Sequence, residues 1–196
     1  TDAGSGLGTA ARSWAKATGK DKLIWSPYCG YNIDRQVNPK DIVDHILNNK
    51  VCGIANGKAE FGPRALGNRS LIADVRYDVK DTVNGIKRRQ KYRPFAPAIL
   101  EEFADQYFDG PMNEYMQYTS IAKHDYAPVT HVDGTARVQV VKKDCESIFR
   151  KVIEEYYEKT GVPMLLNTSL NIRGRPMVND EKDARLWEQE YKVKVF

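Results

Sequence analysis

Glu60-Phe-Gly-Pro-Arg-Ala-Leu-Gly-Asn-Arg69 is the stretch on which the reading of this chain turns. Within ten residues it holds two arginines, two glycines, a proline, an asparagine and a glutamate. Glycine and proline interrupt regular structure, so it reads as a turn. A turn of this composition can aim arginine forks and backbone N–H groups at one small anion. Upstream, Val51-Cys-Gly-Ile-Ala55 is a short apolar run of buried-strand length; downstream, Ser70-Leu-Ile-Ala-Asp74 is a second.

Further out, helices and strands alternate. Asn38-Pro39 opens a helix whose apolar stripe is Ile42, Val43, Ile46 and Leu47, ended by Asn48-Asn49-Lys50. Ala10–Thr18, Val79–Lys91, Ser147–Thr160 and a last segment from Asn179 also read as helices, and Glu101–Tyr107 as one or two helical turns. Phe95–Leu100, Tyr115–Tyr118 with Ile121-Ala122, Arg137–Val141 and Val162–Leu166 read as extended, with Arg137–Val141 alternating most clearly. Residues 19–38, with Pro27, Gly30 and Asn38, read as a connector. The expected class is α/β (α+β).

The 196 residues suffice for one core plus an extra piece. With 41% hydrophobic and 29% charged residues, the composition is that of a globular protein. No apolar run reaches the roughly 20 residues of a membrane span, and no signal-peptide pattern is present. Cys29, Cys52 and Cys145 form no CxxC pair, which suggests reduced, buried or partly buried thiols in a cytoplasmic setting. The net charge of +4 is modest, but Ile86-Lys-Arg-Arg-Gln-Lys-Tyr-Arg93 concentrates five basic residues without an acid. Such a cluster suits a solvated face, a nucleic-acid patch or a phosphate pocket.

Arg64, Arg69, Lys91, Arg93 and Arg137 all fall in or beside expected turns. Arginine's planar fork suits phosphate and carboxylate, whereas arginines spread over a surface need no ligand. Asn167-Thr-Ser-Leu-Asn171 follows an apolar strand; Ser169 and Asn171, two apart on an extended backbone, would share one side and could clasp a phosphate or an amide, or else form a polar turn. His131 reads equally as a proton carrier and as a hydrogen-bonded turn residue; His45 and His124 read as surface residues.

Four motifs in order resemble the C-terminal region of the NodU/CmcH O-carbamoyltransferases: Glu60–Arg69, Lys91-Tyr-Arg-Pro-Phe-Ala-Pro97, His131-Val-Asp-Gly-Thr-Ala-Arg137 and Leu166-Asn-Thr-Ser-Leu-Asn171. The resemblance implies a YrdC/Sua5-like twisted mixed sheet with helices and a basic concave face. That fold's signature is Lys-x-Arg followed much later by Ser-x-Asn, matched by Lys91-Tyr92-Arg93 and Ser169-Leu170-Asn171. It implies binding of carbamoyl phosphate and ATP, with Mg²⁺, to form carbamoyl adenylate. By the same resemblance, Lys91, Arg93, Arg64 and His131 are the expected catalytic residues. Arg69, Arg137, Ser169, Asn171, Asn167, Thr135 and Gly4 are the expected binding residues.

The opening Thr1-Asp-Ala-Gly-Ser-Gly-Leu-Gly8 resembles the last motif of the family's actin/hsp70-like lobe, which passes the carbamoyl group to an acceptor hydroxyl. Asp2 would there be a ligand of Fe²⁺ or another divalent metal. The accompanying His-x-x-x-His pair is not in this sequence, so the chain reads as one part of a longer or split protein. Residues 1–30 are expected to be the terminal segment of that lobe plus a linker, and residues 31–196 the YrdC-like domain. The expected partners are the companion lobe, upstream or on a separate subunit, a small-molecule or nucleotide acceptor, and a possible second copy. A nucleic-acid-binding module is the rival reading.

Overall fold

The computed structural model describes residues 4–196. Its centre is a mixed sheet of five strands. In chain order these are β2 (Val51–Ala55), β4 (Arg69–Ala73), β5 (Ala96–Leu100), β9 (Gln139–Val141) and β10 (Met164–Ser169), lying side by side as β2-β4-β10-β5-β9. Neighbours are antiparallel except β5 and β9, which are parallel. Every residue of β2, β4 and β5 is buried, as a sheet covered on both faces requires.

Alternation along the strands feeds two cores. Ile54, Ile72 and Leu165 pack with Ile42, Val43 and Ile46 of α2 (Pro39–Asn49) and Phe149, Val152, Ile153 and Tyr156 of α5 (Phe149–Thr160). Leu71, Ala73, Ile99 and Leu166 pack with Val83 of α3 (Lys80–Ile86) and with Ala184 and Trp187 of α6 (Glu181–Tyr191). The Asn38 side chain caps α2 by accepting from the Lys40 amide at 3.0 Å, and the Asp180 side chain caps α6. Gly53 exchanges backbone hydrogen bonds with Lys194 and Phe196, so the C-terminus extends the sheet beyond β2.

Several expectations shift. Helix α1 (Ser5–Thr18) begins at Ser5 rather than Ala10, includes Gly6 and Gly8, and buries no residue. Within the expected connector lies β1 (Tyr28–Ile33), paired antiparallel with β3 (Gly57–Glu60). Four of the six β1 residues are exposed, so no apolar pattern marks it. Tyr115–Tyr118 is not a strand: the Asn113 side chain accepts from the Tyr115 and Gln117 amides and bends the chain, with Met116 at φ 55°.

The expected strand Arg137–Val141 is shorter. Only Gln139–Val141 of it forms β9, and β8 (Thr135–Ala136), just before it, belongs to a different sheet. The β8 strand completes a small sheet with β6 (Phe108–Asp109) and β7 (Ser120–Ala122), and the short α4 (Ala104–Tyr107) leads into β6. Cys52 is buried and Cys145 partly so, but Cys29 is exposed. Among the described residues no helix is long and apolar enough to cross a membrane.

Candidate functional site

The expected helix Val79–Lys91 stops at Ile86, and this early stop builds the site. Arg88 takes φ 51°, a left-handed conformation that ends a helix. Fully buried Asn84 then donates from Nδ2 to the carbonyls of Lys91 and Arg93, folding residues 87–94 back as a loop. Arg89 is held in it by Nε donating to Asn84 Oδ1 at 2.6 Å, with its guanidinium 4.3 Å from the Phe95 ring centre.

Beside this loop opens a cleft of about 510 Å³. Its cationic lining is Lys87, Arg89, Arg93, Arg64, Arg137 and Arg173, and among the described residues no carboxylate lines it. The loop after α3, the Gly/Arg turn, the crossing between β8 and β9, and the segment after β10 each contribute.

Lys87 stands at its floor, although the expectation was Lys91. Lys87 Nζ donates to the Ser169 carbonyl, to Asn171 Oδ1 at 2.9 Å and to the Asn171 carbonyl at 3.0 Å, with Ser169 Oγ at 3.3 Å. Burial, then the charges of Arg89 and Arg93, push its ammonium down to about 7, while the four acceptors favour the charged form. Lys91 lies outside the cleft, exposed, and pairs with Asp81 at 3.0 Å. The Lys-x-Arg that meets Ser-x-Asn is therefore Lys87-Arg88-Arg89, at the same spacing four residues earlier. Arg93 still lines the cleft.

Ser169 and Asn171 meet as expected, by a different geometry. The strand ends at Ser169, and the Asn171 amide donates to the Ser169 carbonyl at 2.9 Å, a tight turn at Leu170 rather than extended chain. Ser169 Oγ donates to Asn171 Oδ1 at 2.6 Å. Asn167 is buried on β10 and lines the cleft.

Glu60 organises the Gly/Arg turn. Its Oε1 accepts from the amides of Leu66 (2.7 Å), Asn68 (2.8 Å) and Arg69 (3.2 Å). Gly67 at φ 124° packs so closely on Phe149 that a Cβ would lie 2.4 Å from the Phe149 Cβ. These contacts anchor the turn while Arg64 reaches the cleft wall.

Arg69, the other expected arginine, is not in the cleft. It is fully buried, and its guanidinium donates to the carbonyls of Tyr31, Asn56, Gly57, Asn68 and Asn179. It ties separate segments together because arginine alone has five donors to offer.

Arg137 lines the cleft because the chain changes sheets there. His131 lines it too, while Thr135 supports His131 from outside. Thr135 Oγ1 donates to Asp133 Oδ1 at 2.7 Å, so the 3.1 Å contact with His131 takes its proton from Nδ1. Burial pushes His131 below the usual histidine range, against the pull of Asp133. The neutral ring then leaves Nε2 as an acceptor.

Gly4 lines not this cleft but an adjoining groove with Leu7, Trp25, Phe61 and Tyr115, which shares Arg64 and Arg137 with it. Asp2 lies outside the described residues. Among the described residues no group of three His, Cys, Asp or Glu side chains could hold a metal ion. Among the described residues the cleft lining likewise offers no carboxylate to a resident Mg²⁺.

The chain is thus an α/β protein with a central mixed sheet and a strongly basic cleft. The Carbamoyltransferase C-terminus family matches residues 43–196, and the chain belongs to that family. It is 38% identical to nodulation protein NolNO of Sinorhizobium fredii over 87% of this chain and 27% of that protein. It is 33% identical to the 3'-hydroxymethylcephem-O-carbamoyltransferase of Amycolatopsis lactamdurans over 95% of this chain and 39% of that enzyme. The chain thus spans well under half the length of these relatives. Full-length HypF, in a phosphate- and nucleotide-bound form, superposes with a TM-score of 0.57 at 14% identity, over 83% of this chain and 21% of HypF. That likeness is one of fold alone, and it agrees with the expected YrdC-like mixed sheet.

Proposed function

We propose that this chain is the carbamoyl-activating part of an O-carbamoyltransferase, whose cleft takes carbamoyl phosphate and ATP. The observation that carries the reading is the convergence of one lysine and five arginines on one cleft, with no carboxylate among its described lining residues. Water cleaves carbamoyl phosphate to carbamate and phosphate. A carbamate oxygen then attacks the α-phosphorus of ATP, the bond to the β-phosphate oxygen breaks, and pyrophosphate leaves with carbamoyl adenylate as product. Both steps shift charge among phosphoryl oxygens, so positioning and cationic stabilisation do most of the work. Lys87, Arg89, Arg93, Arg64 and Arg137 supply that charge. The Lys87–Ser169–Asn171 cluster fixes the floor against which phosphate sits, and the neutral His131 offers a proton acceptor at Nε2. Mg²⁺ would accompany the ATP phosphates.

In this reading the companion lobe performs transfer to an acceptor hydroxyl. A metal site including Asp2 would belong to that lobe. The nucleic-acid reading is less well supported. Arg88 and Lys91, which point away from the cleft, are paired with Glu190 and Asp81, and the other cations turn inward instead of forming a stripe.

Calorimetry on the 196-residue chain with carbamoyl phosphate and with a non-hydrolysable ATP analogue tests the binding step. Both should bind, more weakly at high salt, and Arg89→Ala should weaken both at least about tenfold. A folded chain that binds neither would sink the reading.

A further inference from the structure

Among the mostly cationic groups of the cleft lining, one buried side chain stands out. Asn167 is 1% exposed, and its Oδ1 is buried without a hydrogen-bond partner. The amide cannot be turned over to relieve this. Nδ2 donates to the Ala65 carbonyl at 3.0 Å and to Gln139 Oε1 at 2.6 Å. Gln139 is itself fixed, because its Nε2 donates to the Leu66 carbonyl at 3.1 Å. Two backbone carbonyls of the Gly/Arg turn thus orient the pair, and Asn167 lies in the cleft lining with this acceptor unpaired. A buried acceptor left unpaired is costly, and such exceptions in a folded protein call for a partner.

We infer that Asn167 Oδ1 is the selectivity element for the carbamoyl group, accepting a hydrogen bond from its NH₂. The inference rests on the function proposed above and deepens it. The ligand class follows from the chemistry of the lining. Guanidinium and ammonium groups match the oxygens of a phosphoryl group, and they match a carbonyl oxygen equally well. An unpaired, buried acceptor beside them matches an N–H donor. An acyl phosphate with a primary amide offers both, whereas acetyl phosphate, with a methyl group in place of NH₂, leaves Oδ1 unpaired. A site built to bind an N–H rejects the analogue that lacks it far more strongly than an apolar pocket rejects one extra group.

The test is titration of the 196-residue chain with carbamoyl phosphate, acetyl phosphate and inorganic phosphate. The wild type should bind carbamoyl phosphate at least about tenfold more tightly than acetyl phosphate. In Asn167→Ala and Asn167→Ser that preference should fall to within about twofold, with the affinity for inorganic phosphate retained, which also reports that the cleft is intact. Equal wild-type affinity for the two acyl phosphates would overturn the assignment of Asn167 while leaving the cleft an acyl phosphate site. Failure of the wild type to bind either would instead defeat the underlying functional reading, and this inference with it. A parallel comparison of AMP with purine riboside monophosphate, which lacks the 6-amino group, covers the other N–H donor in the proposed chemistry. If the variants lose that preference and keep the acyl phosphate preference, Oδ1 serves adenine and the inference fails. Should either variant not fold, the wild-type acyl phosphate ratio decides by itself.

Discussion

Lys87 Nζ lies 2.9 Å from Asn171 Oδ1, joining the loop after α3 to the turn that ends β10. Burial and two neighbouring guanidiniums bring this lysine to about 7, so it titrates near neutral pH. Below that value the cleft holds its full positive charge; above it, free Lys87 gives up its proton, and a bound anion must draw it back. Anion affinity should therefore fall as pH rises through 7. Sulfate is the suitable probe, since its charge is constant in this range. From pH 6 to 8.5 the wild type should lose about three- to tenfold in affinity, whereas Lys87→Arg should stay nearly flat.

Lys87 and Lys91 can be separated by substitution. Lys87→Met removes the charge at the cleft floor and should lower affinity for an ATP analogue at least about tenfold. Lys91→Ala breaks only an exposed ion pair with Asp81 and should change affinity by less than about twofold. Calorimetry of both variants checks this; a large loss in Lys91→Ala would return the Lys-x-Arg role to Lys91-Tyr92-Arg93.

Glu60 should govern the shape of the Gly/Arg turn. Glu60→Ala strands three buried amides and should cost at least about 2 kcal/mol in urea unfolding. Glu60→Gln keeps an acceptor oxygen and should cost less. Burial pushes the carboxyl above its usual range, against the pull of the amide bonds. A raised carboxyl contributes most stability below its unfolded value and loses it as pH rises through the folded one. The wild type should therefore lose ground to Glu60→Gln as pH rises from 5 to 8.

Arg69 should matter to stability rather than to ligands. Arg69→Lys has too few donors for the carbonyls of Tyr31, Asn56, Gly57, Asn68 and Asn179. Thermal and urea unfolding should show a loss of about 2–4 kcal/mol, while the anion affinity of the folded fraction should hold within about twofold.

Gly67→Ala places a methyl group within 2.4 Å of the Phe149 Cβ at a backbone angle that L-residues rarely adopt. It should destabilise the fold by at least about 2 kcal/mol, read in the same unfolding experiment, and weaken phosphate binding through Arg64.

By itself the sequence determined those elements whose signals are local. The helix from Pro39 carries its cap, proline and apolar stripe within eleven residues. The buried strands around residues 51–55, 70–73 and 164–166 announce themselves as apolar runs, and the glycines and prolines mark the turns that carry Arg64 and Ser169. Periodicity and turn chemistry report such features because neighbours along the chain cause them. Exposed β1 had no apolar pattern to read.

Only the tertiary structure decided between Lys87 and Lys91, since both lie two residues before an arginine. The choice fell to Asn84, whose side chain folds the loop back from within the core and turns Lys87 inward. It likewise separated Arg64 from Arg69, two arginines of one turn, because carbonyls from distant segments surround one and the cleft receives the other. It also shortened the alternating run from Arg137 to Gln139–Val141, since the chain changes sheets there, and left Asn167 Oδ1 buried without a partner in the cleft lining. A side chain's role depends on which charges and carbonyls meet it across the fold, and those are set by contacts far apart in sequence.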